Sequence, residues 1–166
     1  IRRARVYAFS TTYGANKLYH ISARDCLNGF FITGSHTGAY IVNCLTENIR
    51  NQHVQLQTGS NLFYANRNCY DSRTGAASPF RANNSNLSYA SWKALGFDGT
   101  GNNANPSINF YGSILSTGSP IYNSGMILTG VNDIYIGSAP DIGAVENDVY
   151  YSSSVTNYLT GYYDEL

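Results

Sequence analysis

Short apolar runs separated by polar turns dominate the first half of the chain. Five runs rich in aromatic and β-branched residues alternate with Gly and Asn, at residues 18–21, 30–33, 40–42, 53–57 and 62–64. Runs of this length and composition, bounded by turn formers, are typical of strands. The pattern therefore predicts an all-β fold.

The second half of the chain has a different texture. Loops rich in Gly, Asn and Ser follow Asp71, and a single helical turn is predicted over residues 89–95, with Ser88 as N-cap and Gly96 as the stop. If the strands stack, the last one needs a cover, because an open end exposes apolar side chains and unpaired strand edges. The apolar side chains expected to form this cover are Trp92, Leu95 and Phe97.

The runs recur with a coarse period in the low twenties. The three cysteines recur at steps of 18 and 25 residues, and the acidic residues Asp25, Glu47 and Asp71 recur at steps of 22 and 24. Such a period favours a solenoid, in which each coil buries its apolar face on the next. A β-sandwich with closely spaced strands fits the pattern almost as well.

Composition and charge exclude several classes of protein. Charged residues make up 12% of the chain, and ten basic side chains balance ten acidic ones. This balance disfavours a nucleic-acid partner, which needs clustered Lys and Arg. No apolar run approaches the ~20 residues of a membrane span. The polar surface comes instead from Asn, of which there are 19, together with 16 Gly and 15 Tyr.

The charge is unevenly divided along the sequence. Residues 1–81 carry nine basic and three acidic side chains, a formal charge of +6, whereas residues 82–166 carry one basic and seven acidic side chains, a formal charge of −6. In a fold whose sequence order follows a long axis, this division creates opposite ends that attract a neighbouring copy. In a rounder fold it is a solvated surface without consequence.

The cysteines and histidines carry no recognisable site. Cys26, Cys44 and Cys69 form an odd set without CxxC or Cys/His spacing, so we expect small buried hydrophobic side chains, with a disulfide as the alternative in an oxidising compartment. The three histidines, at steps of 16 and 17, are expected in polar turns or at strand edges.

Five motifs in the second half carry a family resemblance. In order, they are Asn61-Leu62-Phe63-Tyr64, Ser91 to Asp98 (SWKALGFD), Asn105-Pro106, Gly118 to Gly125 (GSPIYNSG) and Ala139 to Glu146 (APDIGAVE). Their order and spacing resemble the C-terminal end of secreted right-handed parallel β-helix proteins of the pectate-lyase-like superfamily, which includes phage tailspikes and bacterial surface proteins. Asn105 stands where that family usually has Asp.

The resemblance implies a short right-handed parallel β-helix with a loop-rich C-terminal cap over residues 1–146, followed by a Tyr- and Ser-rich tail over residues 147–166. Relatives usually have more coils, so we expect the chain, which begins at Ile1, to be a C-terminal piece of a longer solenoid. The cap residues are expected to be Trp92, Phe97, Asp98, Pro120, Gly125, Asp141, Gly143 and Glu146. Asp141 and Glu146 are expected to accept backbone N–H groups. A calcium site formed by these two acids and Asp133 is the lesser alternative.

Catalytic chemistry would require acids lined up on successive coils. If Asp25, Glu47 and Asp71 occupied equivalent positions, neighbouring carboxylates would lie about 4.8 Å apart. This is close to the ~5 to 5.5 Å of retaining glycosidases, and the like charges would raise one pKa. Solvated turn acids are the competing interpretation. A lyase, which the resemblance also suggests, would need an acidic calcium cluster that is missing here.

These observations favour a structural role over an enzymatic one. We expect an extracellular or virion-surface segment that presents a rigid polar surface to a polysaccharide or cell-surface glycan, as part of a homo-oligomer or larger assembly without a resident cofactor. The abundant tyrosines suit sugar stacking and protein interfaces alike. The alternatives are a polysaccharide lyase or glycoside hydrolase, and the subunit of a head-to-tail filament.

Overall fold

The computed structural model describes residues 7–11, 16–33, 38–59, 62–71, 73, 78–109 and 114–146. This part of the chain is built mainly from short strands, with one helix of six residues. The elements are β1 (Tyr7–Thr11), β2 (Lys17–Tyr19), β3 (Ser22–Arg24), β4 (Asn28–Ile32), β5 (Ala39–Val42), β6 (Leu45–Glu47), β7 (Gln52–Leu56), β8 (Leu62–Asn66), β9 (Cys69–Tyr70), β10 (Phe80–Ala82), β11 (Ser85–Leu87), α1 (Tyr89–Ala94) and β12 (Asn102–Asn103). The all-β class predicted from the sequence is confirmed.

The strands form three sheets. The first has the order β1-β4-β7-β10-β11, the second β2-β5-β8, and the third β3-β6-β9-β12. From β1 to β9 the chain passes through the first, second and third sheets in turn. Each strand from β1 to β6 therefore pairs in parallel with the strand three places later. Between the named strands of the described ranges, only β10 and β11 pair antiparallel. This pairing excludes the sandwich alternative, whose sheets would be antiparallel.

The register confirms the predicted period but not the predicted repeat of the cysteines. Leu18 pairs with Ile41 and Ile41 with Ala65, which are steps of 23 and 24 residues. Cys69 pairs with Leu45 rather than with Cys44. Cys26 follows the third-sheet strand β3, whereas Cys44 precedes the next strand of that sheet. The three cysteines therefore share a burial preference, not a position.

The core lies between the three sheets. Phe30 pairs with Val54 and Val54 with Phe80, and all three side chains are buried. They pack with Leu18 and Ile41 of the second sheet in one hydrophobic cluster. All three cysteines are buried and free, as the sequence predicts. Alignment of similar side chains in successive strands thus fills the interior along the stack.

The helix covers the last strands of the stack. It begins where predicted, because the Ser88 hydroxyl accepts the Ser91 N–H. It ends one residue earlier than predicted, with Leu95 as C-cap followed by Gly96, which has a φ of 91°. Trp92 is fully buried and stacks on Phe80 with ring centroids 5.0 Å apart. Leu95, also expected in the cover, is 54% exposed. One aromatic face of α1 therefore closes this end of the core.

Residues 114–146, which we call the flanking segment, lie along the side of the stack. Ile121 and Ile142 pack on Leu45 and Cys69, whose side chains point out of the third sheet. Near its end the segment reaches β3, where the Ala144 N–H donates to Ser22 Oγ at 2.9 Å. The loop-rich region is thus divided, with residues 88–103 over the end and the flanking segment against the side.

The remaining predictions concern membrane insertion and the tail. No helix in the described ranges is long and apolar enough to cross a membrane. The tail predicted for residues 147–166 lies outside the described residues.

Candidate functional site

Two of the three predicted catalytic acids come together on the third sheet. Thr46 pairs with Tyr70, and the Asp71 N–H donates to the Thr46 carbonyl at 2.9 Å, so Asp71, directly after β9, lies beside Glu47 at the end of β6. Asp25 does not join them, because Arg24 pairs with Glu47 and Asp25 lies one residue further on, in a turn with a φ of 56°. The expected column of three carboxylates is wrong by one residue of register.

Arginines neutralise both carboxylates. Arg24 Nε forms an ion pair with Glu47 Oε2, and Arg73 Nη2 lies 3.0 Å from Glu47 Oε1. Arg73 also binds Asp71 with two contacts of 2.9 Å, from Nε and Nη2. The side chains of Glu47 and Asp71 are 9% and 2% exposed. The result is a network of two acids and two bases in which both acids and Arg24 are largely buried, while the side chain of Arg73 is 50% exposed.

This network is poorly suited to a general acid. Burial alone would raise the pKa of Asp71, but hydrogen bonds from the Arg73 side chain and backbone outweigh it and hold the pKa below its usual value. A glycosidase acid needs the opposite shift. The sequence analysis did not predict that Arg24 and Arg73 pair with these acids. The 23-residue step from Arg24 to Glu47 was the available signal, because it equals the step between paired second-sheet residues.

The predicted cap residues near α1 form one buried cluster. Asp98 accepts three hydrogen bonds, from Trp92 Nε1 at 2.9 Å, Tyr70 Oη at 2.7 Å and Asn68 Nδ2 at 2.8 Å. Phe97 packs on Trp92 with ring centroids 4.6 Å apart. Burial raises the pKa of Asp98, although the three donors partly oppose this. Asp98 is fully buried, so its carboxyl is inaccessible to a substrate.

The other predicted cap residues lie in the flanking segment. Asp141 accepts the Asn123 N–H at 2.7 Å, and Glu146 accepts the N–H groups of Asp141 and Ile136, as the sequence predicts. The Gly125 N–H donates to the Pro140 carbonyl at 2.7 Å, which leaves no room for a side chain at Gly125.

Two further predicted cap residues, Gly143 and Pro120, attach the flanking segment to the stack. Gly143 donates its N–H to the Asn43 carbonyl at 2.8 Å and has a φ of 112°, which favours glycine. Pro120 accepts a hydrogen bond from Asn102 Nδ2 at 3.0 Å. These contacts join the flanking segment to the second and third sheets.

The acids proposed for calcium are used in other ways. Both carboxylate oxygens of Asp133 accept the Gly130 N–H at 2.9 Å, in a turn of the flanking segment. Asp141 and Glu146 bind backbone N–H groups. In the part of the chain that the structure describes, no group of three or more His, Cys, Asp or Glu side chains could hold a metal ion.

The histidines occupy unrelated positions. His20 lies in the turn between β2 and β3 with a φ of 52°. His53 is buried in β7, where Nδ1 lies 2.7 Å from Thr46 Oγ1, and burial lowers its pKa to about 4. The third predicted position, His36, lies outside the described residues. The expectation of a polar turn or a strand edge is therefore confirmed for His20 and wrong for His53, and these two histidines share no equivalent position in the stack.

A column of polar and aromatic side chains lies on the outer face of the second sheet. Lys17 pairs with Tyr40 and Tyr40 with Tyr64, while the alternate positions, Leu18, Ile41 and Ala65, point into the core. The tyrosine rings are 6.4 Å apart and tilted by 50°. Both tyrosines are partly exposed.

Two more partly exposed residues border this surface along the strand direction, on either side of Val42, which pairs with both of them and is buried. Tyr19 and Asn66 stand two positions after Lys17 and Tyr64, on the same side of the sheet, and Asn66 Nδ2 donates to Tyr64 Oη at 2.9 Å. We call the surface formed by Lys17, Tyr19, Tyr40, Tyr64 and Asn66 the tyrosine face. It combines flat apolar rings with amine, amide and hydroxyl groups. The sequence indicated the residue type, but only the register placed these members together.

No family model matches the chain, and no curated protein and no solved structure matches it significantly.

Proposed function

We propose that this chain is a short right-handed parallel β-helix segment of an extracellular or virion-surface protein, and that it binds a glycan on the tyrosine face. The in-register column of Lys17, Tyr40 and Tyr64 carries the proposal. Aromatic rings stack on the apolar faces of sugars, and hydroxyl, amide and amine groups bind sugar hydroxyls. A larger or homo-oligomeric assembly is part of the proposal.

The stacked sheets support the β-helix interpretation. Three parallel sheets visited in turn, with equivalent residues 23 or 24 positions apart, are what successive coils of a solenoid require. Parallel strands are spaced by about 4.8 Å along such a stack. Side chains on an outer face then form a regular row, which suits an extended polymer better than a small compact ligand.

A rigid strand framework also favours binding. Tyr40 and Tyr64 are fixed by the backbone pairing of β5 and β8, and Ile41 and Ala65 anchor the same strands in the core. A preorganised surface loses little conformational entropy when a ligand binds. The charged network of the third sheet contributes differently, because its acids are paired with arginines. We therefore propose a stabilising role for Glu47 and Asp71 rather than a catalytic one.

Affinity electrophoresis through gels that contain one soluble polysaccharide each tests the proposal. The probes are dextran, arabinoxylan, galactomannan and alginate, which cover neutral and acidic chains. We expect at least one to retard the protein. Tyr40→Ala and Tyr64→Ala should each weaken that binding by about tenfold, because each removes one stacking surface.

Tyr135→Ala is the matched control, because Tyr135 is a partly exposed tyrosine of the flanking segment and is not part of a strand of the second sheet. Its retardation should equal that of the unmodified protein. Absence of retardation by all four probes, or equal retardation of the Tyr40→Ala, Tyr64→Ala double variant, would contradict glycan binding on this face. New reducing ends that disappear in Glu47→Gln would instead support the enzyme alternative.

A further inference from the structure

A column of turn residues joins the stack to the flanking segment. His20, Asn43 and Arg67 come directly after residues that pair with one another in the second sheet. Their φ angles are positive, at 52°, 56° and 54° respectively. The His20 N–H donates to the Val42 carbonyl at 3.2 Å, and the Asn43 N–H donates to the Asn66 carbonyl at 3.4 Å. The three side chains therefore stand at equivalent positions, on the side where the flanking segment packs.

Asn43 holds the backbone of the flanking segment. Its Oδ1 accepts the Met126 N–H at 2.7 Å, and its Nδ2 donates to the Met126 carbonyl at 2.7 Å. Because the backbone offers one donor and one acceptor, the orientation of this amide is fixed. The same Nδ2 lies 3.0 Å from His20 Nε2.

Asn132 of the flanking segment is fixed in the same way. Its Oδ1 accepts the Leu128 N–H at 2.6 Å, and its Nδ2 donates to the Met126 carbonyl at 2.9 Å. That Nδ2 also lies 2.7 Å from His20 Nε2. His20 Nε2 thus faces two amide groups that can only donate.

This arrangement determines the protonation of the imidazole. Nε2 must accept, so the ring is neutral with its proton on Nδ1, which donates to the Gly143 carbonyl at 3.2 Å. A second proton on Nε2 would point an N–H at two amide donors. Neither amide can rotate to accept it without losing a bond to the flanking backbone.

We propose that His20 is an acid-sensitive latch, whose protonation at Nε2 detaches residues 126–143 of the flanking segment from the stack. Release uncovers part of the outer face of the third sheet, because Ile142 leaves the cluster that it now forms with Leu45, Cys69 and Ile121. The device thereby couples external pH to the exposure of an apolar surface.

The charged groups around His20 do not reverse the direction of its pKa shift. Desolvation lowers the pKa of His20, and it outweighs the Gly143 and Asp141 backbone hydrogen bonds and the Glu146 charge, which raise it. Asp133 and Asp141 bind the backbone N–H groups of Gly130 and Asn123, and the Arg67 guanidinium binds the Ser124 carbonyl.

The direction of the pH effect follows from this shift. The folded-state pKa of His20 lies below its ordinary value of 6.5. The stabilisation from the neutral ring is therefore fully present above 6.5 and is lost as the pH falls from 6.5 through the folded-state pKa.

Hydrogen exchange measured at about pH 7.5 and about pH 5 tests the latch, after correction for the intrinsic exchange rates. The amides of Met126, Ile142 and Gly143, which bond to the stack or within the segment, should exchange faster at the lower pH. For one proton taken up on opening, the increase is at most about 30-fold. Amides of β4 and β7 should keep their protection, since His53 titrates only at about 4.

His20→Gln should abolish this pH dependence, and His36→Gln, which removes a different histidine, should retain it. The proposal would be overturned if the pH dependence persisted in both variants, or if both variants lost it. So would equal protection of the flanking amides at the two pH values in the unmodified protein.

Asn132→Asp provides a second test, in which His20 is kept and only the group that faces its Nε2 is changed. The added carboxylate oxygen can accept from a protonated Nε2, so the NMR-titrated pKa of His20 should rise relative to the unmodified protein and the flanking amides should stay better protected at about pH 5. An unchanged His20 pKa in this variant would show that Asn132 does not face the ring in solution and would refute the latch.

Discussion

At the scale of single residues, Asp98 shows how this fold uses a buried charge. Its carboxylate lies in the core near Trp92 and is fully buried, yet three donors satisfy it. The donors come from the helix, from β9 and from the turn before β9. Removal of one acceptor would therefore leave polar groups of three different segments unsatisfied.

We expect Asp98→Ala to lower the free energy of unfolding by about 3 to 5 kcal/mol, because buried donors without partners cost about 1 to 3 kcal/mol each. Urea unfolding followed by the fluorescence of Trp92, the single tryptophan, measures the change. Asp133→Ala, which removes an exposed carboxylate, should cost about 1 kcal/mol or less. Similar losses in the two variants would contradict this role of Asp98.

At the scale of elements, the first sheet depends on one close approach. Gly29 of β4 lies opposite His53 of β7, between the paired residues Asn28 with Gln52 and Phe30 with Val54. A Cβ at Gly29 would overlap the His53 carbonyl oxygen and lie 3.0 Å from Thr46 Cγ2. Both neighbours belong to strands that cannot move independently, so glycine is required here for space rather than for its φ.

Gly29→Ala should therefore destabilise the protein by about 1 to 3 kcal/mol through overpacking. The same urea experiment measures the loss. Gly99→Ala is the matched control, because nothing lies within 4 Å of a Cβ at that position. Equal free energies of unfolding for the two variants would contradict the close approach of Gly29 to the His53 carbonyl described above.

At the scale of the whole molecule, the flanking segment determines where the acidic half of the sequence lies. It returns along the third sheet to Ser22, so Asp133, Asp141 and Glu146 lie beside the stack and not at its far end. Among the described residues the two oppositely charged halves are therefore neighbours. The filament alternative required the two halves at opposite ends, and it stays a prediction, because three basic residues of the first half and three acidic residues of the second lie outside the described residues.

The three cysteines lie in two different apolar clusters, one inside the stack and one under the flanking segment. Cys26 and Cys44 belong to the main core, whereas Cys69 lies under the flanking segment, and burial raises the pKa of Cys44 and Cys69 to about 12. A thiol reagent in excess should thus react with Cys69 first, after local opening, and with the other two only after global unfolding. Mass spectrometry of the labelled peptides gives the order.

Urea above the unfolding midpoint is the control for this experiment, because all three thiols should then react at similar rates. Labelling of Cys26 or Cys44 before Cys69 in the native protein would contradict a flanking segment that opens separately from the stack.

Much of the local structure was predictable from the sequence. Each of the five apolar runs overlaps a strand, and the helix between Ser88 and Gly96 was located by its capping residues. These features depend on neighbours along the chain, which a sequence displays directly. The period in the low twenties also followed, because stacked strands need apolar residues at regular intervals.

The sequence by itself determined the strand class, the period and the burial of the cysteines, since each follows from local propensity and apolar content. Only the tertiary structure decided that Arg24 rather than Asp25 stands beside Glu47, that tyrosines form one outer column, and that residues 114–146 pack against the side of the stack. The reason is that strand register exchanges the two faces with every single residue. A loop's docking partner, likewise, is fixed by contacts between residues far apart in the chain.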